Sequence, residues 1–137
     1  NDAATAKALH DGWLHSGDAG FIDRDGYLTM RGRFAELIEV GGHVWFPRDV
    51  EEALCAQGGV KESAVIAVPD AILGQRPIGY VTLEDDTVDL VRLKKDIAAC
   101  LPYDLAPLTL IGISAFPMTP TGKIAKVELR DRSRADM

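Results

Sequence analysis

The spacing of apolar residues divides the chain into a turn-rich first part and a longer second part. An alanine-rich stretch predicts a helix over residues 1–11, closed by Asp11-Gly12. Aromatic and β-branched residues at 21–22 and 27–30 flank an Asp-Arg-Asp-Gly stretch, and this pattern predicts a β-hairpin. We therefore expect a hairpin segment ahead of the main body of the protein.

The second part carries the patterns of short strands and of three helices. Apolar and β-branched runs predict a short strand at 37–40 and three sheet strands at 64–68, 78–83 and 108–113. Helical spacing predicts three helices, which begin at Pro47, Leu90 and Ile124. This order predicts an α+β fold, in which a small three-stranded sheet with covering helices is preceded by the hairpin segment. A candidate boundary near Ala35 gives predicted domains at 1–34 and 35–137.

Composition and charge narrow the function classes. The chain has 137 residues, 47% of them hydrophobic, and a net charge of −6. The acidic balance argues against a nucleic-acid partner, which usually meets a basic surplus. No apolar run approaches the roughly 18 residues of a membrane span, and the first residues carry no signal pattern. Cys55 and Cys100 lack metal-ligand spacing, so we expect free thiols in a cytoplasmic protein.

Three familiar binding motifs are excluded, because the residues at their required positions or the spacing between their ligands do not match. Gly122-Lys123 does not close a Walker phosphate loop, because Pro117 stands where a glycine is required and Ile124 where Ser or Thr is required. The acidic turn at 23–26 is not a calcium loop, because its flanking ligand positions carry no side-chain oxygen. The three histidines lack zinc-type spacing. No metal site is therefore predicted.

Three polar residues in glycine-rich surroundings are candidate ligands of an anion or a nucleotide. Asp18 can accept from two vicinal hydroxyls, as on a ribose, or can satisfy its own turn. Arg33 offers a planar fork to phosphate or ribose oxygens, or forms a surface ion pair. Lys123 ends a Pro-Met-Thr-Pro-Thr-Gly-Lys loop, from which a lysine can reach into a site or stay solvated. From these residues alone, the pattern favours the turn for Asp18 and the surface ion pair for Arg33.

Four stretches, taken in order, resemble the C-terminal motifs of the acyl-adenylate-forming enzymes, the acyl-CoA synthetase and AMP-dependent ligase family. Residues 12–28 resemble the family's Gly-Trp, Gly-Asp and Asp-Gly-Tyr stretch, and residues 32–42 resemble its Gly-Arg hinge stretch. Residues 47–51 resemble its Pro-initiated helix start, and residues 120–124 its closing Gly-Lys motif. The Gly-Gly form at 41–42 is closer to acyl- and aryl-CoA synthetases than to peptide-synthetase domains.

The resemblance implies an ATP-dependent acyl- or aryl-CoA ligase, as in fatty acid metabolism, that uses a carboxylic acid with ATP, Mg²⁺ and CoA. It implies a large N-terminal domain, absent from this chain, followed by a C-terminal lid, so the chain alone would be inactive. Asp18 would hold the ribose of ATP, Arg33 would contact the ribose or α-phosphate, and Lys123 would be catalytic in adenylation. Ala35 would be the hinge of a rotating lid, and Gly41-Gly42 would make room for pantetheine.

The chain departs from the family's pattern at three positions. Ala35 replaces the usual Asp or Lys of the hinge, Glu39 stands where many CoA-forming members carry lysine, and Asp104 stands where lysine is also common. Each change removes a positive charge or a side chain that can form a hydrogen bond or an ion pair. Two alternatives therefore stay open: an acyl-AMP ligase that passes its acyl group to a carrier protein, and a non-catalytic interaction module. The Lys123 motif also has the spacing that protein acetyltransferases recognise in relatives, which predicts such an enzyme as a partner.

Overall fold

The structure of the protein, a computed structural model, describes residues 1–136, and these form two compact units. The first unit is Asn1–Leu37, and the second begins at Ile38. The predicted domain boundary between residues 34 and 35 stays a prediction. Within the described part of the chain, no helix is long and apolar enough to cross a membrane.

The first unit contains one α-helix, two antiparallel hairpins and a 3-10 helix. In chain order these are α1 (Asp2–Ala8), β1 (Leu9–His10), β2 (Trp13–Leu14), β3 (Asp18–Ile22), β4 (Leu28–Arg33) and the 3-10 helix Phe34–Glu36. The predicted helix over 1–11 is too long. Asp11 and Gly12 take φ angles of 51° and 80° and form the turn that pairs β1 with β2, so the helix ends before them.

The turn between β3 and β4 is built by an aspartate and a glycine. Asp23 Oδ1 accepts hydrogen bonds from the amides of Asp25 and Tyr27, both at 2.9 Å. Gly26 takes a φ of 86°, which glycine adopts without strain. The predicted hairpin is thus confirmed, and its strands extend further than expected, to Asp18 and Arg33.

The second unit is built around a five-stranded sheet with helices on both faces. Its elements are β5 (Ile38–Val40), β6 (His43–Trp45), α2 (Pro47–Cys55), β7 (Val60–Asp70), β8 (Gly74–Leu83), α3 (Leu90–Ala98), β9 (Thr109–Gly112) and α4 (Lys126–Ala135). The order β6-β5-β8-β7 is antiparallel throughout, and β9 pairs with β8 in parallel. The predicted α+β class is confirmed.

The prediction of a three-stranded sheet is wrong in the number of strands. The three expected strands are β7, β8 and β9, but β5 joins β8 where Val40 pairs with Gly74, and β6 then pairs with β5. The prediction treats Gly41-Gly42 as the end of a strand. Both glycines take positive φ, 56° and 85°, and form a two-residue hairpin loop that adds β6 to the sheet.

Two apolar cores cover opposite faces of the sheet. Alternate residues of a strand point to opposite faces. Val65 and Val81 pack with the buried residues of α2 and α3, whereas Ile66 and Tyr80 pack with Leu129 of α4. The sheet is therefore fixed from both sides, and the loops of Gly41-Gly42 and Lys123 belong to one compact unit.

Candidate functional site

The two candidate nucleotide ligands of the first unit lie opposite each other on β3 and β4. Asp18 pairs with Arg33 in the strand register, and Asp18 Oδ1 lies 3.4 Å from Arg33 Nη1. The Asp18 side chain is 33% exposed and the Arg33 side chain 61% exposed. An ion pair this open to solvent stabilises the fold by about 0–1 kcal/mol. Its main consequence is to hold a carboxylate and a guanidinium side by side at the surface.

Backbone contacts on both sides of the pair fix its position. The amide of Phe34 donates to Gly17 O at 2.9 Å, and the amide of Asp18 donates to Ser16 Oγ at 3.3 Å. Gly17 has a φ of 80°, and a Cβ there would lie 3.4 Å from Arg33 Nη2. Glycine at this position therefore makes the turn without strain, and the guanidinium lies at ordinary contact distance from the place a Cβ would take.

Lys123 lies on a tight turn that is hydrogen-bonded at both ends. The amide of Thr119 donates to Lys123 O at 2.7 Å, and the amide of Lys123 donates to Thr119 Oγ1 at 3.1 Å. The amide of Gly122, whose φ is 83°, donates to Thr119 O at 3.0 Å. Lys123 itself is exposed. A hydrogen-bonded turn thus presents a lysine side chain at the surface.

An ion pair joins α2 to α4 immediately after the Lys123 turn. Lys126 Nζ lies 2.6 Å from Glu51 Oε1, which also accepts from the amide of Val65 at 2.9 Å. The two side chains are only 18% and 21% exposed. Since Lys126 is the first residue of α4, the pair anchors the chain just beyond Lys123 to α2 and β7.

The Gly41-Gly42 turn contacts the loop between β7 and β8. The amide of Gly41 donates to Leu73 O at 2.9 Å, and a Cβ on Gly41 would lie 3.5 Å from Leu73 Cδ2. A Cβ on Gly42 would meet no atom within 4 Å. The hairpin itself therefore requires residues that accept positive φ at both positions, as glycine does, and a role in making room for pantetheine stays a prediction.

Asp70 holds the loop that contacts Gly41. Its Oδ1 accepts from the amides of Leu73 and Ile72, both at 2.9 Å. These backbone hydrogen bonds favour the carboxylate and lower the pKa of Asp70, and the charge of Arg76 lowers it further. The loop therefore keeps its ionised acceptor below the pH at which an ordinary carboxyl group protonates.

A groove of about 550 Å³ lies beside the Gly41-Gly42 turn. Trp45 and Tyr103 stack in its wall, with ring centroids 5.0 Å apart and 17° between their planes. The Tyr103 hydroxyl donates to Asp49 Oδ2 at 2.8 Å and accepts from the amide of Phe46 at 3.2 Å, so the aromatic wall is fixed. The groove's other lining residues include Gly41, His43, Leu73 and Asp104.

Ala35 lies in the middle of the 3-10 helix Phe34–Glu36 and is exposed. The amide of Leu37 donates to Phe34 O at 3.3 Å and closes this turn. A single short turn with a small central residue is compatible with a hinge. The hinge assignment stays a prediction.

The structure brings some predicted residues together and leaves others apart. Asp18 contacts Arg33, Gly41 and Gly42 share one turn, and Lys123 lies in a separate loop of the second unit. Sequence reasoning missed the ion pair of Glu51. No spacing in the sequence signals this pair, because Glu51 ends the Pro47 motif and Lys126 lies beyond the Gly-Lys motif, far away along the chain. Among residues 1–136, no group of three or more His, Cys, Asp or Glu could hold a metal ion.

Comparison with known proteins gives consistent matches. The sequence profile described as AMP-binding enzyme C-terminal domain matches residues 49–123. The 2-succinylbenzoate–CoA ligase of Enterococcus faecalis is 36% identical over 92% of the chain and 26% of the ligase. The fatty acid–acyl-carrier-protein ligase ScoC of Streptomyces coeruleorubidus is 36% identical over 96% of the chain and 26% of its own length.

A solved structure is similar to the chain over nearly its whole length, in agreement with the sequence matches. ATP-bound MatB from Rhodopseudomonas palustris superposes with a TM-score of 0.86 at 29% sequence identity, over 97% of the chain and 27% of MatB. The chain thus spans about a quarter of the length of the curated relatives it matches, 26% in the two ligases above.

Proposed function

Because the chain belongs to the family of AMP-binding enzyme C-terminal domains, we propose that it is the C-terminal part of an ATP-dependent acyl- or aryl-CoA ligase. In the first step, a carboxylate oxygen of the acid attacks the α-phosphorus of ATP and pyrophosphate leaves, which gives acyl-AMP. In the second step, the thiol sulfur of CoA attacks the acyl carbon and AMP leaves, which gives the thioester. The similarity to a protein named as a CoA ligase supports this proposal.

The observation that carries the proposal is the Lys123 turn. Its backbone is held by hydrogen bonds to Thr119, and its lysine is exposed. In the first step, negative charge gathers on the attacking carboxylate and the α-phosphate, and a positioned ammonium stabilises that charge. We therefore assign Lys123 the catalytic role in adenylation.

The Asp18–Arg33 pair fits a nucleotide. One carboxylate oxygen of Asp18 faces Arg33, which leaves the other oxygen to accept from ribose hydroxyls. Arg33 has further N–H donors besides Nη1 and can offer them to the ribose or the α-phosphate. Mg²⁺ would accompany the phosphates of ATP, and no residue of this chain is assigned to it.

We assign the acid pocket and the phosphate-gripping loop to a large domain that precedes these residues in the full-length protein. The relatives are about four times as long as the matched region, which makes up 26% of them. The first unit also exposes large apolar side chains that a neighbouring domain would cover, among them Trp13, Leu14, Ile22, Tyr27 and Leu28. In this arrangement Ala35 is the hinge of the lid and Gly41-Gly42 borders the pantetheine path.

Two further assignments follow from exposed residues. A protein acetyltransferase can reach Lys123 on its turn, and acetylation would remove the charge that adenylation needs. Cys55 and Cys100 are free thiols, which supports a cytoplasmic location for the full-length enzyme.

A ligase that transfers the acyl group to a carrier protein is the second candidate. The groove beside Gly41-Gly42 supports it, because no lysine or arginine is among the described residues that line it. CoA carries several phosphates, whereas the exposed part of a carrier-bound arm is neutral. The similarity to ScoC, named as a carrier-protein ligase, also supports this candidate.

The test uses the full-length protein and ATP–pyrophosphate exchange with a panel of carboxylic acids. We expect exchange with at least one acid, followed by thioester formation when CoA is added. We expect no exchange from residues 1–137 alone. Absence of exchange from the full-length protein with every acid would favour a non-catalytic interaction module. Exchange by residues 1–137 alone would contradict the assignment of the acid pocket and the phosphate-gripping loop to a preceding domain.

A further inference from the structure

The groove beside the Gly41-Gly42 turn has one carboxylate and no permanent cation in its wall. Its charged or titratable lining side chains, within the described part of the chain, include Asp104 and His43. Asp104 is exposed, and its Oδ1 accepts from the amide of Ala106 at 3.0 Å, which fixes the carboxylate in a short turn at the rim. A ligand in this groove therefore meets apolar walls and a negative charge.

The lysines closest in the sequence to this rim do not line the groove. Lys94 and Lys95 line a separate cavity of about 290 Å³, which shares Asp104 with the groove. The Lys94 ammonium donates to the carbonyls of Ala106 and Leu108, at 3.1 Å and 2.6 Å. Lys94 therefore holds the loop after Asp104 in place. Of these two lysines, Lys95 is the one placed to meet a phosphate, on the side of Asp104 that faces the smaller cavity.

We propose that Asp104 is a specificity-determining residue for the acyl acceptor, an inference that rests on the proposed function. The groove takes the neutral arm of a pantetheine thiol, and the Asp104 carboxylate removes the advantage that the phosphates of CoA would otherwise give. Phosphate groups near a carboxylate are repelled, while a neutral amide arm against Trp45 and Tyr103 is not. The enzyme is therefore nearly indifferent to the nucleotide part of its acceptor.

The experiment compares CoA with pantetheine as acceptors for the full-length enzyme. The measured quantity is the ratio of kcat/KM for CoA to kcat/KM for pantetheine, at one fixed pH for all variants. We expect a ratio within about threefold of one for the natural enzyme. Asp104→Lys should raise the ratio about tenfold and Asp104→Asn about threefold, because the first reverses a charge near the phosphates and the second only removes it.

Two control variants show whether the charge of Asp104 itself sets this ratio. Asp104→Asn keeps an oxygen that can accept from the Ala106 amide, so its ratio stays informative if Asp104→Lys folds poorly. Lys95→Ala should leave the ratio within about twofold, and a larger fall would place the phosphates in the cavity of Lys95 and overturn the inference. An unchanged ratio in Asp104→Asn would also overturn it.

Pyrophosphate exchange by the same preparations distinguishes a failure of the acceptor inference from a failure of the proposed function. It reports the first step, which involves no acceptor thiol. Exchange together with an Asp104-independent ratio would refute the acceptor inference alone. No exchange with any acid would refute the proposed function and the inference that rests on it.

Discussion

The ion pair between Glu51 and Lys126 is expected to carry more stability than any exposed pair of this chain. Lys126→Met removes the ammonium and leaves the Glu51 carboxylate mostly covered, with the Val65 amide as its remaining partner. Exposed pairs contribute about 0–1 kcal/mol, and breaking a fully buried pair costs about 3–5 kcal/mol. With side chains 18% and 21% exposed, the pair lies between these limits, and we expect a loss of ~2 kcal/mol in the free energy of unfolding.

Urea unfolding of residues 1–137 measures this loss, with Arg132→Met as the matched control. Arg132 pairs with Glu128 on α4 at 2.5 Å, but the side chains are 57% and 51% exposed, so its removal should cost under about 0.5 kcal/mol. A double-mutant cycle with Glu51→Gln should return a coupling energy of about 1 kcal/mol or more. If Lys126→Met and Arg132→Met cost the same, the covered pair is not an anchor and the reasoning is refuted.

Three more predictions follow from the turns. Gly42→Asn should retain both the free energy of unfolding and the rate of thioester formation, because asparagine accepts positive φ. Gly42→Val should lower the free energy of unfolding by about 1 kcal/mol or more in chemical denaturation, because valine does not accept positive φ. Equal losses in the two variants would contradict this. Ala35→Pro should block one half-reaction of the full-length enzyme in single-turnover assays, because proline fixes φ at the hinge; full rates in both would exclude position 35 as the hinge. Asp70 has a lowered pKa, so its contribution to stability is complete above the ordinary carboxyl pKa of about 3.9 and is lost as pH falls through the lower folded value. Asp70→Asn should therefore make urea stability less pH-dependent below the ordinary carboxyl pKa, and an unchanged slope would contradict the assignment.

The features that were predicted correctly from the sequence are those that depend on local residue patterns. The family resemblance, drawn from four ordered motifs, is confirmed by the profile match over residues 49–123. The helix that begins at Pro47 is confirmed, and its apolar residues Val50 and Leu54 are fully buried. Such features follow from residues a few positions apart, which a single sequence displays directly.

Glycine turns were the main source of error, for a physical reason. Asp11-Gly12 and Gly41-Gly42 were predicted as ends of a helix and a strand, but each is a two-residue hairpin loop. Positive φ ends an element in either case. Whether the chain then folds back as a paired strand depends on partners elsewhere, such as Gly74 for Val40, and local pattern does not contain that information.

The contacts within the candidate site also depend on distant pairing. Asp18 faces Arg33 only because of the β3–β4 register, which shifts at a bulge between Ala19 and Gly20. The partnership of Glu51 with Lys126 needs α2 and α4 to meet across β7, and no spacing in the sequence predicts it. The roles of Asp18, Arg33 and Lys123 in catalysis stay predictions that the geometry allows.

The most direct test of the central claim is the Lys123→Ala variant of the full-length enzyme, assayed in each half-reaction separately. We expect acyl-AMP formation to fall on the order of 10²–10³-fold, because one positioned charge is lost from the first step. We expect thioester formation from preformed acyl-AMP to be largely retained, and the melting temperature to be close to that of the natural enzyme, because the Lys123 side chain is exposed. Equal loss in both half-reactions, or no loss in the first, would contradict the assignment of Lys123 to adenylation.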